Sequence, residues 1–298
     1  LGVFIGALQL LLDRGPIKDW FDSGEIRLEA LVSSLALYLF IVHTLTAERP
    51  FIRLAMYRDR NFLTGNVMIF VVGIVLFATL ALLPPLLQGL LGYTAFQAGI
   101  VTAPRGTGTL IAMLFVGRLM GRVDVRLVIA SGFALTAISL WQMSHFSLQV
   151  DMAPLIWSGA IQGLGTGIVY VPMAALSFAT LPALMRNEGT ALFNLVRNLG
   201  SSIGISTVQA LLVRNTQLVH ASLSAHLTPF AMAMHGFPAV PGLRSMAALN
   251  AQVTAQAAMV AYLDDFYFML VLTVLVIPLL LLVRTARAPV GAKDVVLD

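Results

Sequence analysis

Long apolar runs separated by short polar segments dominate the chain, and most runs are long enough to cross a membrane. A helix rises about 1.5 Å per residue, so about 20 apolar residues span the hydrocarbon core of a bilayer. On this criterion we predict seven membrane-spanning helices after a short apolar segment, residues 1–12, which we expect to be the end of another helix. The predicted spans are 26–46, 62–87, 97–119, 127–147, 153–181, 190–213 and 263–284.

The segments between the predicted spans carry an uneven distribution of positive charge. One alternating set of segments, which includes the connector 47–61 and all residues after Val283, holds eleven Lys and Arg residues, whereas the other set holds five. Because cytoplasmic loops are enriched in Lys and Arg, we expect the C-terminus to be cytoplasmic. Residues 214–262 are then a long outer loop, with an Ala/Gln-rich helix at 243–263 that either lies on the membrane surface or contacts a partner.

Composition agrees with an all-α, polytopic membrane protein. The chain is 58% hydrophobic and 11% charged, whereas soluble domains are about 25% charged. It has no cysteine, which excludes disulfides and thiolate chemistry. The basic residues lie in short loops and are read as topology signals, so we predict no nucleic-acid partner. The chain begins at Leu1 inside an apolar run, and we expect it to be a fragment of a longer protein.

Arg105 is the most informative single residue, because it lies inside a predicted span, about 12 Å along the helix from its outer end. Charged residues at such positions are typical of substrate or ion pathways. The alternative is that the Arg105 side chain extends to the outer lipid headgroups. We predict that Arg105 faces a cavity and pairs with Asp264, with Asp265 or with a carboxylate outside this chain. Apart from these acids near an outer span end, we expect no well-buried carboxylate in the spans.

Further polar residues and prolines inside the spans extend this hypothesis. Gln162, Asn194 and Arg197 are predicted to face the same cavity, although helix packing explains Gln162 and extension toward the cytoplasm explains Arg197 equally simply. Pro104 and Pro172 are predicted to bend their helices.

A short turn between two predicted spans combines glycines, arginines and one acid. The enrichment of Lys and Arg in cytoplasmic loops is sufficient to explain these arginines. The alternative is a conformational latch, in which an arginine pairs with Asp124 or with a helix C-terminus in one state and releases it in the other. The residues of this candidate motif are Gly117, Arg118, Gly121, Arg122, Asp124 and Arg126.

Several motifs typical of enzymes and cofactor sites occur here without the context that they require. Residues 200–204 match the G-x-S-x-G pattern of hydrolases, and residues 162–167 resemble a dinucleotide loop, but both lie within apolar helical segments. We therefore interpret them as helix-packing faces of small residues. The five histidines form no metal-ligand pattern. We predict no enzyme activity, no cofactor and no metal.

The sequence resembles the 14-helix drug:proton antiporters, the EmrB/QacA branch of the major facilitator superfamily, along nearly its whole length. The residues that carry the resemblance are Leu8-Gln9, Leu12 to Gly15, Asp19 to Phe21, Ser23, Arg60 to Phe62, Leu83-Pro84, Leu87-Gln88, Gly92 to Ala95, Ala98-Gly99, Ala103-Pro104, Gly106, Gly117-Arg118, Asp124, Arg126, Gln162-Gly163, Pro172, Arg197 and Gly200 to Gly204.

This resemblance implies two six-helix bundles joined by two linker helices. Residues 1–46 would then be the end of the first linker helix and the whole second one, and residues 62–284 the C-terminal bundle. The N-terminal bundle, with the family's antiporter motif and usual proton-titrating carboxylates, is absent from this chain. Proton coupling is therefore not assigned to residues here.

The resemblance also implies a multi-pass inner-membrane exporter that expels toxic compounds by proton antiport, using alternating access. Its partners would be a small-molecule substrate, protons, the lipid bilayer and a periplasmic adaptor protein that contacts loops 13–25 and 214–262. The alternative on the same fold is an exporter of a metabolite, siderophore or lipid. A membrane enzyme and a non-transporting sensor are weaker alternatives, because neither paired catalytic groups nor an appended domain is found.

Overall fold

The computed structural model describes residues 2–15, 18, 20–46, 54–120, 122–225 and 243–283, and the secondary structure in these ranges is entirely helical. The predicted connector 47–61 is therefore described only from residue 54 onward. The predicted tail 285–298 lies outside the described residues. The described α-helices are α1 (Gly2–Arg14), α2 (Gly24–Thr46), α3 (Arg60–Pro84), α4 (Ala95–Met120), α5 (Val125–Met143), α6 (Met152–Phe178), α7 (Arg186–Ala225) and α8 (Leu243–Val276).

Six helices are long and apolar enough to cross a membrane by length and composition, which confirms the predicted all-α membrane class. They are α2 to α6 and α8, with α3 and α8 counted together with their short C-terminal extensions. The seventh predicted span lies in α7, which has 40 residues but is less apolar than the others. Its first half contains Asn194, Arg197 and Asn198, whose polar groups lower its hydropathy.

The end of α3 shows how two prolines shape a helix. Pro84 and Pro85 lack the N–H groups that an α-helix needs at these positions. The chain continues from Pro85 to Leu90 as a wider π-helical turn, in which the N–H of Leu91 donates to the carbonyl of Leu86 over 2.9 Å. Gly92, with a φ of 72°, then ends the helical path.

Helices α3 to α8 form one bundle with a continuous apolar core. Helix α3 packs against α6, α7 and α8, while α6 also packs against α4 and α5. The core includes Met68 and Ile69 of α3, Met173 of α6, and Phe266 and Met269 of α8, all fully buried. This arrangement places α3 and α6 in the interior, where they position the polar residues described below.

Glycines allow the closest helix contacts in the bundle, as the two small-residue motifs predict. A Cβ atom at Gly200 would overlap the carbonyl oxygen of Phe70, and one at Gly204 would lie 2.7 Å from the Cα of Ile74, so both glycines bring α7 against α3. A Cβ at Gly163 would overlap the carbonyl oxygen of Arg105. The interpretation of both motifs as helix-packing faces is confirmed.

Helices α1 and α2 form a pair beside the bundle. They pack against each other, and an ion pair between Arg14 and Glu29, with 3.5 Å between nitrogen and oxygen, joins the end of α1 to the beginning of α2. The pair meets the bundle through contacts of α1 with α7 and through Phe40, which packs on the small buried cluster around Phe62. Most of the α2 surface is exposed.

The predicted outer loop 214–262 needs correction, because α7 extends into it and the helix predicted at 243–263 is continuous with the last span. Helix α7 continues through residue 213 to Ala225, and α8 begins at Leu243, about 20 residues before the predicted span. Neither stretch contains proline or glycine, and the helix breakers lie between them. The two extensions pack together, with 3.1 Å between Nε2 of His220 and Oδ1 of Asn250. Residues 226–242 lie outside the described residues.

Candidate functional site

Arg105 lies in the contact between α4 and α6, and its side chain is only 6% exposed. Its Nη2 group donates a hydrogen bond to Oε1 of Gln162 on α6. The absence of a side chain at Gly163 allows the backbone of α4 to approach α6 at this level. Thr109 stabilises the same contact, because its hydroxyl lies 3.0 Å from the carbonyl oxygens of both Arg105 and Gly163.

A chain of polar groups continues from Gln162 into the middle of the bundle. Nε2 of Gln162 donates to Oγ1 of Thr79 on α3 over 3.1 Å. The Thr79 hydroxyl donates to the carbonyl oxygen of Val75 over 2.6 Å, and the sulphur of Met269 on α8 lies 3.6 Å from it. One polar connection therefore joins α4, α6, α3 and α8.

The guanidinium of Arg105 has unused hydrogen-bonding capacity. Its Nε and Nη1 groups have no hydrogen-bond partner among the described residues. Arg14 forms ion pairs with Glu25 and Glu29, and Lys18 forms one with Glu25, but no ion pair of Arg105 is found among the described residues. The predicted ion pair of Arg105 with Asp264 or Asp265 is therefore not present here. A buried cation with neutral partners is costly, and an anionic group would stabilise it.

The two neighbouring acids of α8 have different environments. Asp264 is exposed, and its Oδ2 accepts a hydrogen bond from Asn215 of α7 over 3.4 Å. Asp265 is completely buried, and neither of its oxygens has a hydrogen-bond partner among the described residues. The prediction that Asp265 lies near a span end was wrong, because α8 begins at Leu243 and places residue 265 well inside the helix, where it is buried.

Arg197 forms a second polar centre, in the contact of α7 with α6. Its Nη1 donates to the hydroxyl of Tyr170 over 2.9 Å, and the guanidinium carbon lies 5.9 Å from the centre of the Tyr170 ring. Nη2 of Arg197 also lies 3.4 Å from Oδ1 of Asn198. Asn194 instead donates to the carbonyl of Thr190 on its own helix over 3.0 Å.

The turn between α4 and α5 contacts the end of the last helix. Asp124 caps α5 by accepting a hydrogen bond from the backbone N–H of Arg126 over 2.9 Å. The side chain of Arg126 donates through Nη2 to the carbonyl oxygen of Val283, at the C-terminal end of the α8 extension. The arginine thus satisfies a terminal carbonyl that has no partner within its own helix.

The other residues of the turn have separate environments. The guanidinium carbon of Arg118 lies 6.0 Å from the centre of the Phe115 ring, and Arg122 is exposed. Space is open around Gly117, and Gly121 lies outside the described residues. A latch role for this motif stays a prediction.

Comparison with known protein families identifies the fold. The model of the Major Facilitator Superfamily matches residues 1–205. The chain belongs to this superfamily. Because the chain is also about 30% identical to EmrB-type exporters over most of its length, the resemblance to the EmrB branch is confirmed. The superfamily comprises transporters, which agrees with the prediction that the chain is not an enzyme.

Three similar proteins of the superfamily illustrate this relationship. The multidrug export protein EmrB of Escherichia coli K12 is 31% identical over 299 residues, which cover 98% of this chain and 58% of that protein. The fatty acid resistance protein FarB of Neisseria gonorrhoeae is 30% identical over 288 residues, 95% of this chain and 57% of FarB. The lincomycin resistance protein LmrB of Listeria monocytogenes is 26% identical over 187 residues, 63% of this chain and 40% of LmrB. The chain spans little more than half the length of EmrB and FarB.

In this superfamily member both predicted bend points lie within continuous helices. Pro104 is inside α4, where its carbonyl accepts a hydrogen bond from the Thr107 hydroxyl over 3.0 Å, and Pro172 is buried inside α6. The structure gives their positions, and bending at either proline stays a prediction.

Sequence reasoning missed three residues of the two polar centres. Thr79 could have been noticed, because it is the single hydroxyl between residues 65 and 91. Met269 and Tyr170 carry no comparable signal, since apolar and aromatic residues are common in membrane helices. Among the described residues, no group of three or more His, Asp and Glu side chains is arranged to hold a metal ion.

Proposed function

We propose that this chain is the C-terminal part of an exporter that removes toxic small molecules by proton antiport across the inner membrane. The observation that carries the proposal is the match to the multidrug export protein EmrB along 98% of this chain. Polar contacts buried among apolar helices support it, because charged groups inside membrane helices are typical of substrate or ion pathways. Alternating access would move this bundle against an N-terminal one.

The proposed substrate pathway runs past Arg105, Gln162, Asn194 and Arg197. In the present conformation Arg105 and Gln162 are buried in a helix contact, whereas Asn194 and Arg197 are partly exposed. A change in the contact of α4 with α6 would expose the guanidinium to a substrate. We propose that the Arg126 contact with Val283 is one half of a latch that opens during this change.

We propose that the C-terminus is on the cytoplasmic side. The arginine-rich turn between α4 and α5 meets the C-terminal end of the α8 extension, so both lie at the same end of the bundle. A high density of Lys and Arg is typical of cytoplasmic loops. The helical extensions of α7 and α8 then project from the outer face.

These extensions are the proposed contact for a periplasmic adaptor protein. They form an open groove of about 760 Å³ between the α5–α6 connection and the two helices. Val219 and Leu223 of α7 and Leu249 and Val253 of α8 line it. An amphipathic helix of an adaptor would bury these apolar side chains.

The adaptor proposal is tested by co-purification from cells that make the full-length exporter and a tagged adaptor. Leu223→Glu combined with Val253→Glu is expected to reduce the captured exporter at least tenfold at unchanged membrane abundance. Substitution of the exposed Phe96 by Glu, outside the groove, serves as the control. Equal capture of the groove variant and the control would contradict the proposal.

A fatty acid or another acidic amphiphile is the second candidate substrate. The similarity to the fatty acid resistance protein FarB favours it, and so does the guanidinium of Arg105, whose Nε and Nη1 have no hydrogen-bond partner among the described residues. Arginine binds carboxylates through two parallel hydrogen bonds. A cationic drug would gain nothing from this group.

Efflux from preloaded cells that make the full-length protein tests the proposal and separates the two substrates. We expect efflux to stop when a protonophore collapses the proton gradient. Export of a cationic dye supports multidrug efflux, and export of a fluorescent fatty acid alone supports the second candidate. Efflux that persists with the protonophore would contradict proton antiport, and the absence of efflux of either probe would contradict the exporter proposal.

A further inference from the structure

The buried carboxylate of Asp265 is the feature that the substrate pathway does not use. The side chain is fully buried in α8, and both oxygens lack hydrogen-bond partners among the described residues. About 27 Å of helix separates it from Val283 at the other end of the bundle. Asp265 therefore lies within the helix Arg244–Leu282, which is long and apolar enough to cross a membrane.

Two buried residues, Met269 and Thr273, follow Asp265 at intervals of about one turn on α8. Met269, one turn further along, contacts the Thr79 hydroxyl, which is bonded to Gln162 and through it to Arg105. Thr273, another turn along, lines an internal cavity of about 10 Å³, about the size that holds one water molecule. Asp265 therefore shares its helix with a residue that contacts the Arg105–Gln162–Thr79 centre and with a residue that lines a small, mostly apolar cavity.

Within the described parts of the chain, the helices that pack against α8 provide no counter-charge for Asp265. On α8 itself, the nearest titratable groups are the carboxyl of Asp264 and the phenol of Tyr262. None of the charged or titratable residues of α3, α5 and α7 that the structure describes forms an ion pair with Asp265. These residues are Arg60 of α3, Arg126 of α5, His145 just after α5, and Arg186, Glu188, Arg197, Arg214 and His220 of α7.

We infer that Asp265 is a proton-binding site of the C-terminal bundle, and that its carboxyl group carries a proton in this conformation. An ionised carboxylate without a counter-charge or hydrogen bonds is strongly disfavoured in an apolar interior, whereas the neutral acid is tolerated. This inference rests on the proposed proton antiport. A proton entering from the outside converts the carboxylate to the neutral acid, which the apolar surroundings of α8 tolerate.

Release of this proton requires a rearrangement. The carboxylate that remains must meet water or a cation, so deprotonation favours a conformation in which α8 has moved against α3. Thr79 contacts both Met269 and Gln162, so such a movement also disturbs the hydrogen bond of Gln162 with Arg105. This contact links the proton on Asp265 to the substrate pathway.

Transport in proteoliposomes containing the purified full-length protein tests the inference. Asp265→Asn keeps the shape of the neutral acid but cannot release a proton. We expect this variant to lose at least tenfold in substrate transport driven by an imposed pH gradient while it keeps exchange of labelled for unlabelled substrate. Asp264→Asn, an exposed neighbour on the same helix, is the matched control and is expected to behave like the wild type. Asp265→Glu, which restores a titratable group, is expected to recover gradient-driven transport in part.

Infrared difference spectroscopy during a pH jump gives a readout that does not depend on transport. We expect the wild-type protein and the Asp264→Asn variant to show the band of a protonated carboxyl group, and the Asp265→Asn variant to lack it. Identical bands in all three proteins, or undiminished gradient-driven transport by Asp265→Asn, would overturn the inference. If the wild type shows the Asp265 band but transports no substrate against a pH gradient, the antiport proposal fails while the proton site stands.

Discussion

The side chains of Arg105 and Gln162 meet across the contact of α4 with α6, in a part of the bundle that is closed to solvent. Gln162 accepts a hydrogen bond from the guanidinium and donates one to Thr79. Because each group is buried, loss of the amide leaves two polar partners unsatisfied. Gln162 is therefore the residue on which the stability of the polar centre depends most.

We expect Gln162→Leu to lower the free energy of unfolding of the full-length protein by about 1–3 kcal/mol, the cost of an unsatisfied buried polar group. Thermal unfolding in detergent measures this change. Gln9→Leu, at an exposed position of α1, is the control and is expected to unfold as the wild type does. Equal melting temperatures for both variants would show that Arg105 does not depend on Gln162.

Gly163 is expected to be intolerant of any side chain. A Cβ atom at this position would overlap the backbone carbonyl of Arg105, which cannot move without displacing α4. Gly163→Ala should therefore cost about 1–3 kcal/mol of stability and reduce efflux by separating Arg105 from Gln162. Gly106→Ala on α4 has open space around its Cβ and is the matched control, expected to be neutral or slightly stabilising. Equal stability of the two variants would contradict the close contact of α4 with α6.

The sequence predicts the helical membrane fold and the family well, because apolar runs and loop charges are local signals. The packing role of the glycine motifs is also visible in the spacing of residues 162–167 and 200–204. The partner of Arg105 is a different kind of feature, since it depends on the register between two helices. That register is set by the close approach at Gly163, which no single segment encodes.

The environment of Asp265 shows a second limit of sequence reasoning. A span placed at 263–284 puts this acid at a membrane surface, whereas the observed helix begins at Leu243 and buries it. Residues 243–262 are too rich in alanine and glutamine to be recognised as part of a span, yet they contain no helix breaker. Helix continuity across a change in hydropathy is what the prediction missed.

The contact of Arg126 with Val283 predicts a conformational effect in the full-length transporter. Removing a charged hydrogen bond worth about 1.5 kcal/mol should change the ratio of the two access states roughly tenfold. Distances between spin labels on the outer ends of the two bundles measure this ratio. The chain contains no cysteine, so a label site can be introduced into this half without background.

We expect Arg126→Ala to shift the distance distribution toward the state in which the turn is released from α8. Arg122→Ala, in the same turn but with an exposed side chain, is the control and should leave the distribution unchanged. A distribution for Arg126→Ala that matches the wild type would contradict the latch. Arg126 would then only help to set the orientation of the chain in the membrane.

The most direct test of the proposed substrate pathway is the initial rate of efflux by the Arg105→Ala variant at equal membrane abundance, compared with Arg118→Ala. Arg105 is buried in the bundle, whereas Arg118 lies beside Phe115 in the last turn of α4. The proposal predicts at least a tenfold loss of efflux for Arg105→Ala and near wild-type efflux for Arg118→Ala. Wild-type efflux by Arg105→Ala would contradict a role for this residue in transport.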